Sequence, residues 1–280
     1  MTSMGLGRHL KRALRSSIPL PLRMRLAIWL NRQPWFTRDY LAVGLVGDLG
    51  LQDPEAFHKF LWKHHFMGYA RWYDSEDELF SAEHMQPSRR MFFDDLVSVV
   101  RELGLQPSDI GSILEVGCSL GYLLRHLEVE VFPGCRELLG IDIDGPAIRK
   151  GTDYLKRHGS KVVLAQGDME DLDRMLGSRT FDLVFAAGVL SYLDEPNAAR
   201  LVSMLLRRTN KVLAFAGLAC TGRNNDQLDR SETSPNHEQQ WIHNFAAMVS
   251  AAGGRVVRSR WEGAKLYNLQ TIHFVFAVPG

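Results

Sequence analysis

The chain has 280 residues, 45% of them hydrophobic and 23% charged, enough to bury a full core and unlike a disordered or fibrous composition. A net charge of +1 gives no bulk electrostatic case for a nucleic-acid partner, and the three scattered cysteines (Cys118, Cys135, Cys220) form neither a disulfide framework nor a metal-ligand spacing. No apolar run reaches the roughly 18–20 residues that span a bilayer, and no secretory signal is legible, so a reducing cytoplasm is the expected compartment and no metal is expected.

The charge is unevenly placed. Residues 1–40 carry eight basic side chains against one acid, Asp39. Apolar residues recur there at helical spacing, at Leu6, Leu10 and Leu14 and again at Leu22, Leu26, Trp29 and Leu30, with Pro19 and Pro21 between. The favoured expectation is a helical pair packed on the body with its arginines in solvent. A second reading lays residues 1–40 on an anionic membrane surface, and a third takes them as a mitochondrial targeting segment. Phe57 to Tyr73 is crowded with aromatics and histidines, and Met91 to Leu103 reads as the helix that delivers the chain to the first strand. Residues 1–111 are therefore expected to be a helical arm and substrate cap, and 112–280 the main domain.

From residue 112 strand-like and helix-like segments alternate, the pattern of a parallel sheet with crossover helices. Expected strands are 112–116, 137–142, 161–165, 181–186, 211–216, 254–257 and 271–277. A helical pattern follows the first of them at 122–127. Another helix enters through Asp144 with Pro146 in its first turn, and a third lies around 241–252. Seven strands so arranged predict an α/β, doubly wound, mostly parallel seven-stranded sheet. The polar stretch from Gly217 to about Gln240 is long for a loop and reads as a lid over a substrate.

In such sheets ligands sit beyond the carboxyl ends of the strands. Glu115-Val116-Gly117-Cys118-Ser119-Leu120-Gly121 occupies that place, a glycine-rich turn from the first strand into a helix whose free amides suit an anion. Asp142 ends the second strand, placed to accept from two ribose hydroxyls, and Asp168 follows the third, placed for an adenine amino group. The spacing at 117, 119 and 121 departs from the dinucleotide fingerprint, whose third glycine lies three residues after the second. Cys118 has no base beside it and reads as a small buried residue of the turn.

Ile-Leu-Glu-Val-Gly-Cys-Ser-Leu-Gly-Tyr-Leu-Leu at 113–124, Leu-Gly-Ile-Asp-Ile-Asp at 139–144, Gly-Asp-Met-Glu-Asp at 167–171 and Phe-Asp-Leu-Val-Phe-Ala-Ala-Gly-Val-Leu at 181–190 together resemble the class I S-adenosylmethionine-dependent methyltransferase family, small-molecule branch. The resemblance covers roughly residues 112–278 and implies a Rossmann-like methyltransferase fold with S-adenosylmethionine as cofactor. It implies that Glu115, Gly117, Cys118, Ser119 and Gly121 line the methionine end, that Asp142 binds the ribose and that Ile143 lies against the adenine. Asp168 and Met169 are implied at the adenine edge and face, and Ala187 and Gly188 beneath the substrate pocket. Ser119 departs from the glycine common in the family but is small enough to keep the turn.

Methyl transfer from a sulfonium is an in-line displacement governed by alignment, and a base matters only for a weakly nucleophilic acceptor. His243, His64 and Tyr192 are the candidates favoured on the acceptor side. His65, Ser191 and His237 are further possibilities, and Tyr69, Trp72, Tyr73 and Trp241 are aromatic neighbours in sequence. The expected acceptor is a small molecule or a glycan- or lipid-linked precursor. The Ala-Ala-Gly-Val-Leu segment after the fourth strand lacks the Asn/Asp-Pro-Pro-aromatic motif of base amino-group methylation, which leaves RNA methylation as a lesser alternative. A nicotinamide-dependent oxidoreductase and a non-catalytic cofactor-binding protein are the readings from other classes. The oligomeric state is not legible.

Overall fold

The computed structural model describes residues 17–33, 39–66, 79–81, 85–235, 240–267 and 270–280, and the chain divides into two compact units, 1–74 and 75–280. Leu6, Leu10, Leu14, Tyr69, Trp72, Tyr73 and His237 lie outside the described residues, as does most of the basic segment before residue 17.

The first unit contains α1 (Leu20–Asn31), α2 (Asp39–Val46), α3 (Leu49–Gln52) and α4 (Pro54–Lys63). Asp53 starts α4 by accepting from the Ala56 amide at 2.9 Å, with Pro54 in the first turn where no amide is needed. Ala27, Ala42, Leu45, Val46, Phe57, Phe60, Leu61 and Phe66 make its core. The face of α1 that turns inward is not the expected one. Arg23 is buried, while Leu22 and Trp29 are each 53% exposed. The reason is Asp48, whose two carboxylate oxygens accept from the Arg23 guanidinium at 2.7 Å each while the Leu45 and Ile18 carbonyls take the remaining donors. A fork satisfied on every side tolerates burial that a lone charge does not.

In the second unit α5 (Pro87–Glu102) leads to a seven-stranded sheet ordered β3-β2-β1-β4-β5-β9-β8. The strands are β1 (Ser112–Val116), β2 (Glu137–Asp142), β3 (Val162–Gln166), β4 (Phe181–Ala187), β5 (Thr209–Gly217), β8 (Gly254–Tyr267) and β9 (Gln270–Pro279). The first five are parallel and β9 is antiparallel to both its neighbours. The expected strand at 254–257 runs ten residues further because its hairpin with β9 carries it on. A separate two-stranded hairpin pairs β6 (Glu232–Thr233) with β7 (Trp241–Ile242), so the helix expected around 241–252 is confined to α10 (Phe245–Ala251).

Helices cover both faces. On one, α5 sets Phe92, Phe93, Leu96 and Val99 against Phe185, Phe274 and Phe276, so the helix lying before residue 111 is part of this domain's core. On the other, α9 (Glu195–Arg207) and α10 pack Leu201, Val202, Leu205, Phe245 and Val249 on Leu114, Val184, Phe215 and Val275. Side-chain caps start the helices at the strand ends: Asp144 accepts from Ala147, Asp194 from Asn197 and Asn244 from Ala247, each at 2.9–3.0 Å. The turn after β1 enters the short α6 (Tyr122–His126), Asp144 opens α7 (Gly145–Arg157), and the short α8 (Leu172–Leu176) follows β3.

Gly151 of α7 lies against the glycine-rich turn so closely that a Cβ there would come within 2.2 Å of the Leu120 carbonyl oxygen. Helix propensity alone favours alanine over glycine by about 1 kcal/mol. Steric overlap with backbone reverses that sign, and we expect Gly151→Ala to lower unfolding free energy by about 1–2 kcal/mol in a urea titration.

Candidate cofactor and acceptor site

The turn leaving β1 winds through three left-handed residues, Gly117 (φ 78°), Ser119 (φ 52°) and Gly121 (φ 80°). Glycine adopts this conformation freely, whereas a serine there is strained by about 1 kcal/mol. What holds Ser119 is Asp142 at the end of β2. One of its carboxylate oxygens accepts from the Ser119 amide at 2.7 Å and the other from the Asp144 amide at 2.8 Å. The Gly117 amide adds a bond to the Ile141 carbonyl at 2.8 Å. Beside the turn stands the end of β4, and a Cβ on Gly117 would fall 1.8 Å from Val189.

Glu115 sits on β1 in an otherwise apolar run, 1% exposed, and its Oε2 has no hydrogen-bond partner. Burial pushes its carboxyl well above the ordinary range, Arg89 draws it back and Asp142 adds to the rise. Burial likewise raises Asp142 to about 6, against the pull of the Asp144 and Ser119 amides. Cys118 is turned into the core, where Gly140 leaves room for its sulfur, and burial pushes its thiol well up, so it meets the site with backbone alone.

The remaining expected cofactor residues stand on neighbouring strand ends. Ile143 follows Asp142 and its carbonyl accepts from Gln166 Nε2 at 3.4 Å. Half-buried Asp168 follows β3 and accepts from the Glu170 amide at 3.1 Å, with Met169 packed on the core beside it. Ala187 ends β4, and Gly188 next to it is left-handed at φ 88°.

Sequence reasoning did not find Arg89. From the first turn of α5 its Nη2 donates to the Ala187 carbonyl at 3.2 Å, and its Nε is buried without a partner. No local signal could have marked it, because the contact with Ala187 spans 98 residues.

Of the acceptor-side candidates, Tyr192 is half-buried in the 3₁₀ turn 190–192 after β4, and Ser191 is buried, donating to the Gly188 carbonyl at 3.0 Å. His243 is 1% exposed with both ring nitrogens engaged. Its Nε2 donates to the Leu190 carbonyl at 2.8 Å, which leaves Nδ1 to accept from Ser231 Oγ at 2.7 Å. Burial lowers its pKa, so the ring is neutral and both of its polar atoms are already used. His64 belongs to the first unit, where it ends α4 with its ring 5.0 Å from Phe60; burial lowers its pKa, with Lys63 and Arg32 adding to the effect.

The polar stretch after β5 is pinned rather than free. Asn225 is fully buried, accepting from the Cys220 amide and donating to the Leu218 and His243 carbonyls, each at 2.9 Å. Together with the β6–β7 hairpin the stretch walls a cavity of about 360 Å³ lined by Cys220, Arg223, Glu232, Ser234, Ile242 and Thr271. The glycine-rich turn is not part of that lining. Among the described residues no cluster of His, Cys, Asp and Glu is arranged to hold a metal ion, and no helix is long and apolar enough to cross a membrane.

Residues 113–211 match the family model of the methyltransferase domain, and no curated protein matches the chain. Among solved structures, the chain is similar to magnesium protoporphyrin IX methyltransferase from Synechocystis PCC 6803 with bound SAH (12% identity, 81% of this chain and 100% of that one, TM-score 0.55). It is also similar to an S-adenosylmethionine-dependent methyltransferase from Clostridium acetobutylicum ATCC 824 (12% identity, 76% and 98%, TM-score 0.52) and to the [4+2]-cyclase SpnF (14% identity, 68% and 81%, TM-score 0.52). These likenesses establish the shared fold. Residues 113–211 are a class I, S-adenosylmethionine-dependent methyltransferase domain.

The raised pKa of Asp142 sets a pH dependence. On the expectation that Asp142 accepts from the ribose hydroxyls, which its charged form does best, cofactor affinity should be full above pH 7 and fall as pH drops through about 6. Without ligand the sign is opposite: the folded pKa lies above the unfolded 3.8, so protonation below about 6 favours the fold. Calorimetric Kd and Tm measured from pH 8 to 5 should therefore both rise for this group, binding weakening as the unliganded fold gains stability, and both trends should vanish in Asp142→Asn.

Proposed function

We propose that the protein transfers the methyl group of S-adenosylmethionine to a small-molecule or glycan- or lipid-linked acceptor. The observation that carries the reading is the turn at 117–121, left-handed at three alternate residues, with its Ser119 amide held by the half-buried carboxylate at the end of the next strand. The residues fit the cofactor. Glu115 presents a buried carboxylate oxygen with no partner, suited to an ammonium group, and Gly117, Ser119 and Gly121 bring bare backbone to the methionine end. Asp142 would take the ribose diol, Ile143 and Met169 the adenine faces, and Asp168 its amino edge, while Ala187 and Gly188 would flank the reacting end. When bound, the cofactor supplies an electrophilic methyl carbon on a sulfonium.

The chain's own contribution is alignment and shielding from water. On the acceptor side His243, His64 and Tyr192 remain the candidate catalytic residues. The two bonds of His243 favour a positioning role, since it ties Ser231 of the polar stretch to the turn after β4. Tyr192, on that turn, has the better access to an acceptor. A cytoplasmic setting is supported by three cysteines that are all free and buried.

The exposed side of α1, with Leu22, Arg25, Trp29 and Arg32, supports membrane contact by the segment 1–40 and with it a lipid-linked acceptor. Flotation with anionic vesicles should be lost on deleting residues 1–33; flotation that persists removes this part of the proposal.

The central test is calorimetry. S-adenosylmethionine should bind and NAD should not, and Gly117→Ala, with its Cβ driven into Val189, should reduce affinity at least about 100-fold. Mass spectrometry of a metabolite extract incubated with enzyme and methyl-labelled cofactor should show a labelled product. Binding of NAD would install the oxidoreductase reading, and cofactor binding without any labelled product the non-catalytic one.

A further inference from the structure

The cavity of about 360 Å³ lies beyond the carboxyl end of β5, between the segment leaving that strand and the β6–β7 hairpin. Its volume is in the range of pockets that take small molecules. Hydrogen bonds of their own hold its walls. Asn225 accepts from the Cys220 amide at 2.9 Å, while Thr271 Oγ1 accepts from the Ala219 amide at 3.1 Å and donates to the Ala219 carbonyl at 2.6 Å. The cavity also adjoins the turn after β4. Ile242 of β7 is in its lining, and the next residue, His243, donates to the Leu190 carbonyl of the turn that carries Tyr192.

The chemistry of the lining selects the occupant. Among the described lining residues the charged ones are Arg223 and Glu232, and they pair with each other. That pairing leaves no net charge to draw an anion or a cation. It does leave hydrogen-bonding capacity, because a guanidinium has more donors, and a carboxylate more acceptor sites, than one contact uses. A group matched to both partners at once must donate and accept, as adjacent hydroxyls do. Thr221 and Thr233 add hydroxyls to the lining, and Ala219, Pro235 and Ile242 add apolar surface. Adjacent hydroxyls on a ring with apolar C–H faces describe a sugar. We infer that the cavity seats a neutral hexose ring of the acceptor, with Glu232 accepting from one hydroxyl and Arg223 donating to its neighbour. This rests on the methyltransferase reading above and narrows its acceptor to a glycoside.

Titrations of the full chain, followed by its amide resonances, test the assignment. The neutral probes are the methyl glycosides of glucose, galactose and mannose, and the charged ones are inorganic phosphate and acetate. At least one glycoside should bind with a Kd of about 1–10 mM, and neither anion should bind in the cavity. Glu232→Gln should weaken that glycoside at least about 10-fold. A Cβ on Gly222 meets nothing within 4 Å, so the side chain of Gly222→Leu starts in open space at the lining and should abolish glycoside binding with Tm retained. Calorimetric affinity for S-adenosylmethionine should stay within about twofold in both variants. Silence from every glycoside up to about 50 mM overturns the assignment, as does glycoside binding that survives in Gly222→Leu. Unchanged affinity in Glu232→Gln overturns the role given to the ion pair. Phosphate or acetate binding that Gly222→Leu removes would make the cavity an anion seat instead. A wild type that binds a glycoside but not S-adenosylmethionine would overturn the methyltransferase reading, and with it the sugar's part in an acceptor.

Discussion

The carboxylate of Asp142 is the constraint on which the rest of the site depends. Its two oxygens accept from backbone amides of two different segments, Ser119 in the turn after β1 and Asp144 at the start of α7. One side chain thus fixes the curvature of the glycine-rich turn and the take-off of the helix that packs on it. Holding a carboxylate in that enclosed place raises its pKa, and the amides that oppose the rise are the ones it organises. The same group is therefore scaffold to the turn and, in the proposed reading, a recognition element for the cofactor. Ser119 can occupy a glycine-like conformation because its amide is anchored in this way.

The domain's strands were legible because β1, β2, β4 and β5 are short apolar runs buried on both faces, which read as parallel-sheet strands without help from tertiary contacts. The glycine-rich turn and Asp142 were legible for a local reason too, since spacing within a strand–turn–helix unit is a property of a few consecutive residues. What sequence could not supply was everything set by contacts distant in the chain. Arg23 looked like one of many surface arginines, and only Asp48, 25 residues later, makes it a buried group. Arg89 reaches Ala187 across 98 residues, so nothing near it in sequence distinguishes it from Arg90. His243 carried the right chemistry for a base, but the two bonds that occupy its ring come from Ser231 and Leu190, on separate segments.

The stretch after β5 illustrates a different limit. Its polar composition suggested a lid over a substrate, and among its described residues polar side chains also serve as internal struts, with Asn225 spending both its amide groups on backbone from three places. Composition alone does not distinguish polar residues that face water from those that satisfy buried backbone. The resulting wall has the Arg223–Glu232 ion pair at the cavity lining and the Asn225 hydrogen bonds behind it.

The strand order carries a consequence for how the domain is assembled. β9 follows β8 in sequence but lies between β8 and β5, pairing with both. β8 has no partner among the parallel strands, so it joins the sheet only through β9. The two must come together as a hairpin, a local and fast event, before or while β9 closes on β5 over a separation of some sixty residues. The phenylalanines of α5 rest on Phe274 and Phe276 of that strand as well as on Phe185 of β4. The seat of α5 is thus shared between the parallel half of the sheet and the antiparallel hairpin added at its edge.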